Sequence, residues 1–184
     1  MRFSLSSIAQ GLALGLFVAQ AAAAPKPPTN FGFDSVMARD PSVRAEILRN
    51  ASPEDKSKFW TGRLENYRAN REKPLTTEQS EVIDSAIAGL ENWDRSLFPK
   101  IKEEFESAFG VEEARAITTT MDGKKPPRQD DLTAKGGKPL CNCSLADPWC
   151  YDGFFCSTTP SCYVYPEDCG LFWGYTCDGL CAKV

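Results

Sequence analysis

The sequence predicts a two-part chain: an α-helical N-terminal domain, read as a small bundle, followed by a small disulfide-rich module of loops and short strands. Three observations predict it. All eight cysteines lie within the last 44 of 184 residues. The middle of the chain carries apolar residues at helical spacing between recognisable start signals. Between these two halves lies a stretch dominated by glycine, proline and charge.

The first residues are set aside as a targeting segment. Arg2 supplies a positive charge, and Ile8 to Ala19 form an apolar stretch with Leu12, Leu14, Leu16, Phe17 and Val18. The alanines from Ala21 to Ala24 then offer small residues for cleavage. Pro25 disfavours a cut directly before it, so cleavage is expected after Ala23, with Ala21 as the other option. The apolar stretch is shorter than the roughly 18–20 residues a bilayer span requires. Residues 1–23 are therefore read as a signal peptide and the protein as secreted, with no stable transmembrane insertion expected.

Residues 24–40, opening on Pro25, Pro27 and Pro28, are read as an extended tether. From Pro41 the pattern turns helical, with Val43 and Ile47 four residues apart. Ser52-Pro53-Glu54-Asp55 is a second start: a serine cap, proline in the first turn, then acidic residues that suit the helix dipole. Phe59, Trp60, Leu64 and Tyr67 follow on one side, with Arg63, Glu65 and Arg68 expected in water. Thr76-Thr77-Glu78-Gln79 opens a third helix bearing Val82, Ile83, Ala86, Ile87 and Leu90, and either threonine can cap it. A fourth begins near Asp94 and carries Phe98, Ile101, Phe105 and Phe109, with Pro99 starting or kinking it. Val111 to Ile117 adds a short last segment. Residues 41–120 thus read as a bundle of three to five helices whose apolar stripes form its core.

Residues 121–140 run Met-Asp-Gly-Lys-Lys-Pro-Pro-Arg-Gln-Asp-Asp-Leu-Thr-Ala-Lys-Gly-Gly-Lys-Pro-Leu and are read as a flexible linker. Residues 141–184 hold Cys141, Cys143, Cys150, Cys156, Cys162, Cys169, Cys177 and Cys181. So short a segment cannot bury enough apolar surface alone. Four bridges, each typically worth ~2–4 kcal/mol, can supply the difference. A zinc module is the competing reading. The spacers of one, six, five, five, six, seven and three residues contain no Cys-x2-Cys pair, and the chain has no histidine. Disulfides are preferred, and no metal or other cofactor is assigned. Eight cysteines allow on the order of a hundred pairings. Cys141 and Cys143 are too close for an unstrained mutual bridge, so each is expected to reach further along the chain.

The module is also dense in aromatic residues: Trp149, Tyr151, Phe154, Phe155, Tyr163, Tyr165, Phe172, Trp173 and Tyr175. With so little interior available, these are taken as a contact surface for an unknown protein, carbohydrate or envelope target on another cell. The alternative is that they simply cover the disulfides. From Cys141 onward Lys183 stands against Asp147, Asp152, Glu167, Asp168 and Asp178. This acidic balance has the wrong sign for a cationic membrane-lytic peptide, and the absence of a basic block argues against nucleic acid.

The tail Cys141-Asn142-Cys143-Ser144, through Trp149-Cys150 and Cys169-Gly170-Leu171-Phe172-Trp173, to Cys177-Asp178-Gly179-Leu180-Cys181 resembles the C-terminal module of the fulvocin C-related bacteriocin family. Ser52-Pro53-Glu54-Asp55-Lys56 with Trp60 and Leu64, and Leu75-Thr76-Thr77-Glu78-Gln79, resemble that family's helical region. The resemblance spans residues 41–184. It implies a secreted antimicrobial precursor: a helical pro-region and a C-terminal effector. The alternative is a secreted cysteine-rich binding or inhibitor protein acting as an intact chain. Gly136-Gly137 and Lys124-Lys125 are candidate release sites, and Asn50-Ala51-Ser52 and Asn142-Cys143-Ser144 match the glycosylation sequon.

An enzyme is not expected. Without histidine the commonest general base is missing. The dense carboxylates Glu103-Glu104-Glu106 and Asp130-Asp131 read as a solvated helix face and as linker, and no catalytic residue is assigned. There is no phosphate loop and no Gly-x-Ser-x-Gly.

Overall fold

A computed structural model describes residues 28–123, 139–150, 153–158 and 161–183. The signal segment with its cleavage site, both candidate release sites, Asp130-Asp131 and Tyr151 lie outside the described residues. Within them the N-terminal part holds six helices, and the C-terminal part holds short strands and four disulfides.

The helices begin where their capping chemistry predicts. Helix α2 (Pro41–Arg49) starts at Asp40, whose side chain accepts from the Ser42 amide at 2.9 Å. Helix α3 (Pro53–Ala69) starts at Ser52, which accepts from Asp55 N at 3.1 Å. Helix α4 (Thr77–Glu91) is closed by a reciprocal pair: Thr76 Oγ1 accepts from Gln79 N, and Gln79 Oε1 accepts from Thr76 N. The pair satisfies two amide donors that helix geometry leaves open. Asp94 caps a single 3-10 turn, Arg95–Leu97, that runs into α5 (Phe98–Phe109). Pro99 therefore starts that helix and does not kink it. Helix α6 (Val111–Thr118) follows across Gly110.

Phe98, Ile101, Phe105 and Phe109 of α5 repeat at three- and four-residue intervals, and all four are buried. They meet Val82, Ile83, Ala86 and Leu90 of α4 and Phe59, Trp60 and Leu64 of α3 in one core. Tyr67 Oη donates to Glu113 at 2.6 Å, and Arg71 also reaches Glu113 at 3.0 Å, tying α3 to α6. Burial, and then the bond to Glu113, pushes the Tyr67 phenol up, so it stays a donor.

Three expectations for this half are corrected. The tether contains a helix, α1 (Phe33–Met37), with Val36 fully buried. Its start is tied by Ser35 Oγ, which accepts from Gly32 N and donates to Gly32 O. Phe31, Phe33 and Met37 pack on the main core around it. Close approach is possible because α3 offers Gly62, where a Cβ would come within 2.8 Å of Phe33 Cβ. The second correction is Arg63, which does not face water. It is buried, and its guanidinium donates to the carbonyls of Thr120 and Ala116 at the C-terminal end of α6. A cation there satisfies carbonyls that the helix leaves open. Third, the linker as read begins too early, because Met121 packs against the core.

In the C-terminal part, β1 (Phe154–Ser157) pairs antiparallel with β4 (Leu180–Lys183), with Cys156 opposite Cys181. Strand β2 (Tyr165–Cys169) pairs antiparallel with β3 (Tyr175–Cys177) across an irregular register. Between β2 and β3 the chain makes one tight turn, Leu171–Trp173, in which Phe172 and Trp173 take φ of 51° and 57°. Isolated bridges join Leu140 to Tyr163 and Cys143 to Gly179, so the module's first residues are tied to its middle and to its end.

Candidate functional site in the cysteine module and its helical seat

The disulfides join Cys141 to Cys162, Cys143 to Cys156, Cys150 to Cys181 and Cys169 to Cys177. Cys141 and Cys143 each reach further along the chain, as their spacing requires. The sulfurs of Cys143, Cys150 and Cys181 lie within 4.8 Å of one another. Each is already bonded within one of two neighbouring disulfides, so this trio offers no thiolate to a metal. All four bridges fall inside the module, and none crosses to the helices.

What crosses instead is packing and hydrogen bonding. Phe172 and Leu171 are fully buried and Trp149 nearly so, all three in the core of the helices. The Phe172 ring lies 5.6 Å from Trp60 and 5.6 Å from Phe98 by centroid; Trp173 lies 6.1 Å from Trp60, and Tyr175 6.2 Å from Phe98. These tilted and edge-on contacts suit aromatic quadrupoles.

Asp147 is the polar centre of the seam. Only 5% exposed, it accepts from Lys102 Nζ on α5 at 2.6 Å, from Trp149 Nε1 at 2.8 Å and from the Leu171 amide at 2.6 Å. The Lys102 ammonium also sits 4.6 Å from the Trp149 ring centroid. One buried carboxylate thus binds a helix cation and two module segments that lie 24 residues apart. Around it, Arg95 donates to Gly174 O at 2.9 Å, and Trp173 Nε1 donates to Thr119 O at 2.8 Å. Arg49 places Nε and Nη2 on Asp168 Oδ2 at 2.9 and 2.5 Å. Burial pushes the Asp168 carboxyl above its usual range, and Arg49 only partly opposes this.

The expected aromatic contact surface is therefore split. Trp149 and Phe172 are buried, and Trp173 and Tyr175 are half-buried against the same core, so these four form an internal seam. Phe154, Phe155 and Tyr163 are exposed, and Tyr165 is placed by its backbone on β2. Sequence reasoning named these aromatics but could not divide them, because a module read as standing alone offers no interior for four rings. It also passed over Asp147 and Lys102. The only available signal was an Asp-Pro-Trp-Cys segment in an acidic tail that ought to be neutralised somewhere.

Among the described residues, the large apolar side chains left exposed are Leu97 and Val111 on the helices, against Leu140, Leu145, Phe154, Phe155, Tyr163 and Val164 on the module. The outward apolar surface thus belongs to the module. An open groove of about 790 Å³ also lies between α1 and α3 beside Phe33 and Gly62. Its polar lining, which includes Lys58, Glu65 and Asn70, is solvent-facing. Glu104 accepts from Ser85 and pairs with Lys100 on a helix surface. Of the two sequons, Asn50 stands exposed at the end of α2, whereas Asn142 is half-buried and its Oδ1 accepts from Cys181 N.

No family model, curated protein or solved structure matches the chain. The molecule is a cysteine-rich protein in which four disulfides fit an extracellular compartment. No helix of the described residues is long and apolar enough to cross a membrane.

Proposed function

We propose that the chain is a secreted, bacteriocin-like precursor in which the helical half masks one aromatic face of a disulfide-stapled effector module. The observation that carries this reading is the asymmetry of the seam. The module is covalently complete, since its four bridges are internal, yet Trp149, Leu171 and Phe172 are buried in the core of the helices. Separation would leave the bridges intact and expose a new apolar face, which is how a latent binding surface is made available. The resemblance to fulvocin C-related bacteriocins supports the same division of labour. On this reading the module acts by binding an envelope target on a competitor cell, and no residue carries a catalytic step.

A second reading rests on a different observation. Phe154, Phe155, Tyr163 and Val164 are exposed while the module is seated, so an intact chain already presents apolar side chains to a partner. In that case the protein is a binding or inhibitor module that works without release.

Growth inhibition distinguishes the two. The secreted product would be sized by mass spectrometry, and oxidised full chain and oxidised 139–184 applied to a panel of competitor bacteria. Inhibition by the short form alone supports the precursor. Inhibition by neither, with only the intact mass in the medium, discards it in favour of the intact binder.

A further inference from the structure

Among the described residues the module has little interior that is not cysteine. The cluster of buried residues lying wholly within it consists of Cys141, Cys169 and Cys177, with Cys162 packed against them. Outside that cluster only Leu180 joins the buried Cys143 and Cys181 as an apolar side chain away from the helices' core. Its other clustered apolar side chains, Trp149, Leu171 and Phe172, belong to the core of the helices. Disulfides lock a geometry, but something else must bring the right sulfurs together among the roughly hundred pairings open to eight cysteines. A cluster made of the cysteines themselves cannot do so before they are bonded.

The seam can. Asp147 lies between Cys143 and Cys150, and Leu171 lies between Cys169 and Cys177. Lys102 on α5 holds Asp147, and Asp147 holds the Leu171 amide. Asp147 thereby joins two segments that each lie between a pair of cysteines, and Lys102 fixes that junction to α5. The turn between Cys169 and Cys177 adds to this. Phe172 and Trp173 take left-handed backbone conformations, each costing roughly 1–2 kcal/mol for a residue with a side chain. Their rings are held there by Trp60 and Phe98 of the helices. Without those contacts the strained turn is left to two backbone hydrogen bonds, Trp173 N to Gly170 O and Gly174 N to Leu171 O, and to the irregular pairing of β2 with β3.

We propose that the helical half is the folding template for the module's disulfides, a function separate from whatever the module acts upon. The template carries no redox chemistry. Each bridge forms when two thiols lose two protons and two electrons to a disulfide oxidant, through a mixed disulfide, and the oxidant leaves as two thiols. The helical half, which has no cysteine, contributes only the arrangement in which the correct second thiol is nearest.

The test uses the full chain with a site-specific protease sequence placed between residues 124 and 138. Cut and uncut protein are reduced, diluted to several concentrations, and reoxidised with a glutathione couple. Disulfides are then assigned by peptide mapping. The uncut chain is expected to return the Cys141–Cys162, Cys143–Cys156, Cys150–Cys181 and Cys169–Cys177 set at every concentration. The cut chain is expected to give mixed pairings when dilute and to recover the set as concentration rises and the pieces meet. Failure of the cut chain at all concentrations, with the uncut chain recovering, also supports the template in tethered form. Equal yield and rate from cut and uncut protein at every dilution overturns it. Lys102→Gln in the uncut chain is the second variant. It should lower the correct yield several-fold with helical circular dichroism unchanged, and an unchanged yield and rate would count equally against the proposal. Neither measurement depends on killing, so an inactive module leaves this proposal standing.

Discussion

The two halves of this molecule are stabilised by different means, and the seam shows what each lacks. The helical half has caps, stripes and a continuous core of aromatic and aliphatic side chains. The module has four covalent bridges and a cluster made of their own sulfurs. Covalent staples act mainly by restricting the unfolded chain, whereas apolar burial stabilises the folded one directly. The module therefore borrows its burial from the helices, and the helices gain a cover for Trp60 and Phe98. The two parts read in the sequence keep their different architectures, and they share one core with two kinds of reinforcement.

The largest expected effect separates those two kinds. Reduction with excess dithiol should remove the module's stabilisation of ~2–4 kcal/mol per bridge while leaving the cysteine-free helices their own caps and stripes. Far-ultraviolet circular dichroism is expected to keep most of its helical signal while the near-ultraviolet aromatic signal falls sharply. Simultaneous loss of both would mean that the helices depend on the module as much as the module depends on them.

Next in size is the polar centre. Asp147→Ala removes the buried partner of the half-buried Lys102 and leaves the Trp149 indole and the Leu171 amide without their acceptor. Breaking a buried pair from one side typically costs ~3–5 kcal/mol, and denaturant unfolding should register a loss of that order. A loss below about 1 kcal/mol, the scale of an exposed ion pair, would show that the seam is wetter than its burial implies. Smaller again is Gly174→Ala. A Cβ there would sit 2.5 Å from Phe98 Cε2, and Phe98 is fully buried and cannot retreat. Overpacking of this kind typically costs ~1–3 kcal/mol, and a thermal melt would show a lowered midpoint.

Much of the helical half was legible because its signals are local. Ser52, Thr76 and Asp94 announce their helices by short-range capping geometry, and the stripe from Phe98 to Phe109 repeats within one element. Helix α1 was hidden by the prolines upstream of it, Pro25, Pro27 and Pro28, and by its length, since five residues cannot show a period. The internal bridging of Cys141 and Cys143 followed from chain geometry, but the four pairings did not. They depend on contacts such as Lys102 to Asp147, 45 residues apart, that no local pattern encodes. The same limit explains the aromatics. Phe172 and Phe155 look alike in sequence, yet one is fully buried against Trp60 and the other is 50% exposed, because only the fold decides which side of the module meets the helices.

The smallest expected effect tests how the second ion pair of the seam differs from the first. Asp168 meets Arg49, but its Oδ1 is buried with no hydrogen-bond partner among the described residues, whereas Asp147 uses both of its oxygens. Burial therefore outweighs Arg49 and raises the Asp168 pKa. The sign follows from linkage. The folded state binds this proton more tightly than the unfolded state, so the contribution of Asp168 to stability is greatest in acid. It declines as pH rises from the ordinary carboxylate range through the raised folded value. The exposed carboxylates of Asp40, Glu54 and Asp94 are shifted down by their hydrogen bonds and act in the opposite direction, so the raw pH profile mixes both. Asp168→Asn removes only the Asp168 term. The difference between parent and variant stability, measured from pH 3 upward, should then favour the parent most in acid and shrink as pH rises. A difference that grows with pH would show that Arg49 dominates, and that this pair is held by its charge and not merely tolerated.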